Sequence, residues 1–227
     1  MNFPLAVTAD WSLSSASGLA PRVDALFWTL VVGGVGMVAL LGTLNLVFLI
    51  RYRRGSPARR GPLAIATWKI ETGWIVATTV IFTGVFAWGA QIYLDEERPP
   101  AGATVIDVVA RQWMWDIRQP NGRREFNTLH VPLNQAIVLR LTSEDVIHSL
   151  FVPAFRLKQD VVPGKVVTAW FIATRPGSYR LFCSQFCGTA HASMIGEVIA
   201  QTPRDYAAWL KSPRGLPVPP APTTPPQ

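Results

Sequence analysis

Two stretches without a charged residue constrain the fold more than any other feature of this sequence. Residues 26–50 form an apolar run of 25 residues, and residues 72–94 form a second run of 23. At ~1.5 Å per residue, a helix over either run is longer than the ~30 Å hydrocarbon core of a bilayer. Both runs are apolar on every side, which disfavours a soluble helix with one buried face. Residues 26–94 are therefore predicted to form a transmembrane hairpin with spans at about 26–50 and 71–94.

The positive charge of the chain is concentrated between these two runs. The net charge is +7, and six of the 21 Lys and Arg residues lie within residues 51–69. Residues 1–25 contain one basic residue, and the second run is followed by three acidic residues. Because loops rich in Lys and Arg remain in the cytoplasm, residues 51–69 are predicted to be cytoplasmic and both chain termini external. The basic charge is thus a topology signal, and no nucleic-acid partner is expected.

Residues 95–212 have a different pattern, in which short runs rich in Val, Ile, Phe and Trp alternate with turn signals. Six or more short strands in this length predict an external all-β sandwich or barrel. A short closing helix is expected, with Thr202 as N-cap and Pro203 at its first position. The six predicted strands lie at residues 104–110, 136–142, 146–152, 166–172, 178–183 and 195–200.

Two terminal segments complete the predicted organisation. Residues 1–25 form an external N-terminal segment without the features of a cleavable signal peptide, so the first span is expected to act as the insertion signal. Residues 213–227 form a Pro-rich tail, with six prolines in the last twelve residues, which favours an extended segment.

Ligands for a soft metal gather in one short segment of the predicted β domain. Cys183, Cys187, His191 and Met194 have the spacing Cys-x3-Cys-x3-His-x2-Met, and His148 lies 35 residues before the first cysteine. Thiolate, imidazole and thioether groups together favour copper over hard cations. Two thiolates can bridge two metal ions and leave one histidine for each. A binuclear centre that shares one electron over two copper ions suits an electron relay.

Other interpretations of these residues remain open at this point. Two cysteines outside the cytoplasm can form a disulfide, although this leaves the ordered spacing of His and Met unexplained. A zinc site needs no methionine and transfers no electrons. A single methionine such as Met194 more often packs in a core than binds a metal. His130, which precedes a Val-Pro pair, is expected to be structural and is not assigned to the site.

With these motifs the chain resembles subunit II of cytochrome c oxidase in the haem-copper family, and residues 145–153 resemble the segment that holds this family's first histidine ligand. The resemblance implies that residues 95–212 form a cupredoxin-like Greek-key barrel holding the binuclear copper centre called CuA, with two copper ions per chain. It implies bridging by the two cysteines, terminal binding by the two histidines, and completion by a thioether and a backbone carbonyl. The implied ligands are His148, Cys183, Gln185 (backbone carbonyl), Cys187, His191 and Met194.

Two further stretches carry the resemblance. Residues 112–115, Gln-Trp-Met-Trp, resemble the family's aromatic cluster, in which the first tryptophan, here Trp113, is where the electron from cytochrome c enters. The second tryptophan, Trp115, is expected to pack in the core. Residues 71–74, Glu-Thr-Gly-Trp, resemble a Glu-x-x-Trp motif whose glutamate, here Glu71, lies near the mouth of a proton pathway into subunit I. A carboxylate at a helix start is equally explained by the helix dipole.

Two departures from the family pattern bear on the site. Many relatives have Glu at the position of Gln185, where the side chain helps to hold magnesium at the subunit I interface, and an amide is a poorer ligand for a hard cation. Relatives often present acidic residues to a basic cytochrome c, whereas this domain is slightly basic. Five acidic residues are nevertheless expected to form a local acidic face: Asp107, Asp116, Glu125, Glu144 and Asp145.

The resemblance implies the electron-accepting subunit of a terminal oxidase in the bacterial cytoplasmic membrane, with two spans and an external CuA domain. The implied partners are subunit I, subunit III and cytochrome c. Haem and further copper would be held by subunit I, where oxygen is reduced to water and protons are translocated. The chain has no Cys-x-x-Cys-His haem-attachment motif, so the donor is expected to be a separate protein. The alternative is a membrane-anchored copper chaperone, but those resemble thioredoxin and usually carry their histidine far after the cysteines.

Overall fold

The structure is a computed structural model that describes residues 14–59, 61 and 66–212. The predicted Pro-rich tail lies outside the described residues, as do the first 13 residues. The chain divides into two compact units. Residues 22–94 form one unit, and the parts of the chain before and after them form the other.

The first unit consists of two long helices. Helix α1 spans Ala20–Arg51 and helix α2 spans Thr67–Glu96. Both are long and apolar enough to cross a membrane by their length and composition. Among the described residues of the two helices, only Ala20 and Ile92 are buried. The apolar side chains therefore lie on the outside, as expected for helices whose solvent is lipid.

The second unit is a sandwich of two five-stranded sheets. The first sheet has the order β3-β2-β1-β5-β8 and the second has the order β4-β10-β9-β6-β7. Strands β1 and β5 pair in parallel, as do β4 and β10, whereas the other pairs are antiparallel. In chain order the strands are β1 Thr104–Arg111, β2 Met114–Arg118, β3 Arg124–Phe126, β4 Thr128–Pro132, β5 Ala136–Ser143, β6 His148–Val152, β7 Leu157–Val161, β8 Val167–Ile172, β9 Gly177–Cys183 and β10 Ile195–Gln201.

Side chains that alternate along the strands form one core between the sheets. In β1, for example, Ile106, Val108 and Ala110 are fully buried, whereas the intervening side chains are only partly buried. Trp115 is also fully buried, as predicted. The predicted fold class is thus confirmed, with two apolar helices followed by a cupredoxin-like β-sandwich.

The chain segment before α1 belongs to the sandwich. The Ala16 N–H donates to the Ala154 carbonyl at 2.9 Å, and the Thr174 N–H donates to the Ala16 carbonyl at 2.9 Å. Ser17 is buried, and its hydroxyl donates to the Phe155 carbonyl at 2.8 Å. Residues 16–17 therefore add a short paired segment to the β unit, although 77 residues lie between Ser17 and Asp95, where the β unit resumes.

Helix α3, Pro203–Lys211, closes the sandwich. Its N-cap is Thr202, whose hydroxyl accepts a hydrogen bond from the Asp205 N–H, so the predicted cap is confirmed. Trp209 on this helix stacks on His130 with the ring centroids 4.0 Å apart. His130 is buried and its Nδ1 lies 3.0 Å from a carboxylate oxygen of Glu125, in keeping with the structural role expected for it.

Candidate metal centre

Sheet pairing brings the two distant parts of the metal motif together. His148 begins β6 and Cys183 ends β9, and Leu150 pairs with Cys183 across these two neighbouring strands. The loop after β9 turns back into β10, and the Cys183 N–H donates to the Met194 carbonyl at 3.2 Å. A hydrogen bond of 2.9 Å from the Ser184 N–H to the Ser149 carbonyl ties the loop to β6. Strand order thus explains why His148 lies beside cysteines 35 or more residues later.

The two cysteine sulfurs lie 3.7 Å apart, and the other four donor groups expected from the resemblance lie around them. On one side, Cys183 Sγ lies 3.9 Å from His148 Nδ1 and 3.2 Å from the Gln185 carbonyl oxygen. On the other side, Cys187 Sγ lies 3.4 Å from His191 Nδ1 and 3.8 Å from Met194 Sδ. Each sulfur therefore has one imidazole and one weaker donor as neighbours.

The chemistry of this donor set fits soft metal ions. The sulfur-to-sulfur distance of 3.7 Å is far longer than a disulfide bond of ~2.05 Å, and both cysteines are free thiols. Thiolate, thioether and imidazole donors favour copper. The two sulfurs, His148 and Met194 are buried, whereas His191 is partly exposed. The cluster is thus shielded from water on the side of the core and reachable on the side of the loop.

A carboxylate fixes the orientation of the buried histidine. His148 Nε2 lies 2.8 Å from Asp145 Oδ1, and a carboxylate accepts hydrogen bonds, so the ring donates from Nε2 and its Nδ1 faces Cys183. Burial raises the pKa of Asp145, but hydrogen bonds from His148 and from the Gln112 and Val146 N–H groups outweigh it, and the net pKa is lowered. The sequence offered one signal for Asp145, its place three residues before His148.

Burial also affects the second cysteine. Desolvation, together with the neighbouring Cys183, raises the pKa of the Cys187 thiol to about 12. Metal ions bind the thiolate, so a metal ion that binds here has to displace this proton. The site therefore strongly favours either a thiol or a metal-bound sulfur over a free thiolate.

Trp113 contacts the ligand loop directly. It lies in the turn between β1 and β2 with 36% of its surface exposed, and its indole N–H donates to the Cys187 carbonyl at 3.2 Å. The Gln112 side-chain amide donates to the same carbonyl at 2.8 Å. Gly188 makes room for both, because a Cβ there would lie 2.9 Å from Gln112 Nε2 and 3.3 Å from Trp113 Cζ2. Sequence reasoning gave Gln112 and Gly188 no role, and nothing in their local pattern indicated this contact.

Two predicted residues lie apart from these contacts. Glu71 is an exposed residue in the second turn of α2, within the helical unit. The side chain of Gln185 is exposed, and only its carbonyl oxygen approaches the sulfur cluster.

Each of the five acidic residues expected to form an acidic face already pairs with another side chain. Asp116 is fully buried and bonds to Arg124 and Arg111, so it is not available to a partner protein. Glu144 pairs with Arg111 at 2.7 Å. The other three acids are also engaged: Asp107 with Arg140, Glu125 with His130, and Asp145 with His148.

Comparison with known proteins gives a consistent result. Residues 123–201 match the family described as cytochrome C oxidase subunit II, periplasmic domain. The alternative cytochrome c oxidase subunit 2 of Bradyrhizobium diazoefficiens is 29% identical over 220 residues, which cover 83% of this chain and 78% of that protein. The cytochrome c oxidase subunit 2 of Cereibacter sphaeroides is 28% identical over 246 residues, which cover 88% and 79% of the two chains.

Among solved structures, the chain is similar to the periplasmic domain of cytochrome oxidase subunit II from Bradyrhizobium japonicum, with 29% sequence identity and a TM-score of 0.48. The aligned region covers 50% of this chain and 95% of that domain. The family match lies in the β-sandwich and includes the two cysteines. Over most of its length, this chain is similar to cytochrome c oxidase subunit II proteins.

Proposed function

We propose that this chain accepts electrons from reduced cytochrome c at a CuA centre and passes them to haem in subunit I. Oxygen is reduced to water there, coupled to proton translocation, and subunit III is a further partner. The observation that carries the proposal is the cluster of two cysteine sulfurs 3.7 Å apart, with two imidazoles, a thioether and a carbonyl each within 3.9 Å of one of them. When bound, two copper ions that share one electron supply a one-electron acceptor.

The residues of the chain hold and insulate this centre in different ways. Cys183, Cys187, His148 and His191 would hold the two copper ions, with Met194 and the Gln185 carbonyl as weaker donors. The Asp145 carboxylate holds the His148 ring in the orientation that binding needs. Met194 is 1% exposed and excludes water from the side of the core.

Trp113 is proposed as the residue through which the electron arrives. Its indole is exposed to a partner on one side and hydrogen-bonded to the Cys187 carbonyl on the other. It therefore offers a continuous route from the protein surface to a ligand residue.

Membrane topology and proton uptake complete the proposal. The chain is anchored in the membrane by its two helices, and we place it in the bacterial cytoplasmic membrane with residues 51–69 in the cytoplasm. Residues 95–212 would then be external, with the Pro-rich tail 213–227 beyond them. Glu71, near the cytoplasmic start of α2, is proposed to lie at the mouth of a proton pathway into subunit I.

Copper content and electron paramagnetic resonance of the full-length chain in detergent test the proposal. We expect two copper ions per chain with one unpaired electron delocalised over both. Cys187→Ser should abolish or strongly distort this signal, and Ser184→Ala, which keeps both sulfurs, is the matched control. One copper ion per chain, or none with the two cysteines in a disulfide, would instead favour the copper chaperone.

A further inference from the structure

The loop that covers the sulfur cluster has no charge. Sixteen consecutive residues, 181–196, contain no Lys, Arg, Asp or Glu. Within this loop the Phe186 ring is 76% exposed, directly beside Cys187. A single exposed ring is common at protein surfaces, but several exposed apolar side chains at one place mark an interaction site.

Two more exposed apolar side chains lie next to the same cluster. The Trp113 indole rests on Cys187 and Gly188 of the loop. Ile147 is 44% exposed and directly precedes His148, in a loop that is tied to the Trp113 turn by the Gln112–Asp145 hydrogen bond of 2.7 Å. We call Trp113, Ile147 and Phe186 the apolar patch.

The charges of the chain segment that contains Trp113 balance one another. Residues 104–145 contain five carboxylates and five arginines. The carboxylate of Glu144, three residues before Ile147, is held by Arg111 at 2.7 Å. Asp107 is similarly held by Arg140 through two hydrogen bonds of 2.6 and 2.9 Å. A partner with a ring of lysines would therefore have to compete with an arginine for either carboxylate.

We propose that the electron donor docks on the apolar patch through uncharged contacts, and that it is a small redox protein whose own cofactor edge is ringed by apolar side chains rather than by lysines. This inference rests on the proposed function, because it names the class of donor that the same site accepts.

Electrostatics supports this class of donor. Long-range steering of a charged partner depends on an unbalanced local electrostatic field, and paired charges produce only a weak field. Association without steering has typical rate constants of ~10⁵–10⁷ M⁻¹ s⁻¹ that change little with salt. Complexes for electron transfer are also small, often below ~1,200 Å², so a few aromatic side chains can supply most of the contact.

Stopped-flow reduction of the copper-loaded, full-length chain in detergent tests the proposal. Two reduced single-haem cytochromes c serve as donors, one with a lysine-ringed haem edge and one with an uncharged haem edge. The ionic strength is raised from ~10 mM to ~300 mM, over which the Debye length falls from about 30 Å to below 10 Å. We expect the second-order rate constant for the uncharged donor to change less than about twofold and to exceed that of the lysine-ringed donor at every salt concentration.

Variants of the patch give a second, independent readout. Phe186→Ser should lower the second-order rate constant several-fold while the copper content and spectrum stay unchanged, and Phe186→Leu should largely restore it. Val105→Ser is the matched control, because Val105 is 46% exposed at the opposite end of β1 from the Trp113 turn.

The proposal is overturned if the lysine-ringed donor is the faster one and slows tenfold or more with added salt, or if Phe186→Ser reacts like wild type. These outcomes differ from a failure of the proposed function. In that case the wild-type chain would lack the two-copper signal and oxidise neither donor at any salt concentration.

Discussion

The indole N–H of Trp113 donates a hydrogen bond to the backbone carbonyl of Cys187 at 3.2 Å, across 74 residues of sequence. The contact joins a partly exposed ring to a residue of the sulfur cluster. It is reinforced by the Gln112 amide, which donates to the same carbonyl. The proposed electron route and the position of the loop that contains Cys187 therefore depend on the same turn.

Replacing Trp113 with alanine should slow electron acceptance from a reduced cytochrome c by on the order of tenfold or more, equivalent to at least ~1.4 kcal/mol in the barrier. The physical reason is the loss of the surface ring and of its hydrogen bond to Cys187. Stopped-flow kinetics measures the rate, and electron paramagnetic resonance checks that the copper signal is intact. Trp170→Phe, which removes a tryptophan hydrogen bond to Glu96 instead, should leave the rate unchanged. Equal rates for Trp113→Ala and wild type would rule out this route.

Removing the carboxylate of Asp145 should weaken copper binding by ~10- to 100-fold, the usual effect of losing the partner that orients a histidine ligand. In the wild-type chain His148 Nε2 lies 2.8 Å from Asp145 Oδ1. Asp145→Ala removes this partner and leaves the ring free to rotate. Competition with a copper chelator measures the affinity. Asp107→Ala removes a carboxylate that pairs only with Arg140 in the described structure, and it should bind copper like wild type. Unchanged affinity in Asp145→Ala would show that the ring is held by packing alone.

A methyl group at Gly188 should destabilise the domain by about 1–3 kcal/mol and slow electron acceptance. Gly188 has φ of +115°, and a Cβ there would meet Gln112 Nε2 at 2.9 Å. Gly164→Ala is the matched control, because its φ is +76° but nothing lies within 4 Å of the added Cβ. Thermal unfolding and stopped-flow kinetics of both variants separate backbone strain from the clash. If Gly188→Ala accepted electrons as fast as Gly164→Ala, the role given to the Gly188 contact would be wrong.

Charge removal at Asp116 should lower the free energy of unfolding by about 1.5–3 kcal/mol at neutral pH, because its carboxylate is buried and accepts charge-assisted hydrogen bonds. Arg124 donates to it from two nitrogens, and Arg111 lies 3.4 Å away. Chemical denaturation of Asp116→Asn measures the loss. Asp107→Asn is the control, since its carboxylate pairs with Arg140 but is 39% exposed, and it should cost below ~1 kcal/mol.

The contribution of Asp116 to the free energy of unfolding should also depend on pH. The hydrogen bond from Arg124 lowers the pKa of Asp116 in the folded protein, although burial opposes it. The carboxylate therefore contributes its full stability above the unfolded-state pKa of ~3.9 and loses it as the pH falls through the lower folded-state pKa. The difference between wild type and Asp116→Asn should be constant from pH 7 to about 5 and shrink at lower pH. A difference that grew with acidification would contradict this assignment.

Local patterns in the sequence predicted much of this molecule. The two helices, the strands with continuous apolar runs and the Thr202 cap follow from hydropathy and capping rules. Strand β7, Leu157–Val161, was not predicted, because Lys158, Gln159 and Asp160 give it a polar pattern typical of an edge strand. Strand β3 has three residues, too few for any period to be visible.

The candidate site was also predictable only in part. The donors were recognisable because five of the six share the short segment 183–194. The contact by which Gln112 supports Cys187 was not recognisable, because the two residues lie 75 positions apart and only the fold brings them together. The expected acidic face failed for this reason, since charge counts along a sequence do not show which carboxylates are already paired.

The short segment at residues 16–17 has a consequence for how this protein is made and studied. The β-sandwich is assembled from chain on both sides of the hairpin, so it cannot be completed until the second helix has been synthesised and the chain has emerged beyond it. A fragment that begins at residue 95 would lack the Ala16 and Ser17 partners of the Ala154 and Phe155 carbonyls and of the Thr174 N–H. A soluble version of the domain should therefore carry the N-terminal segment, joined by a linker in place of the hairpin.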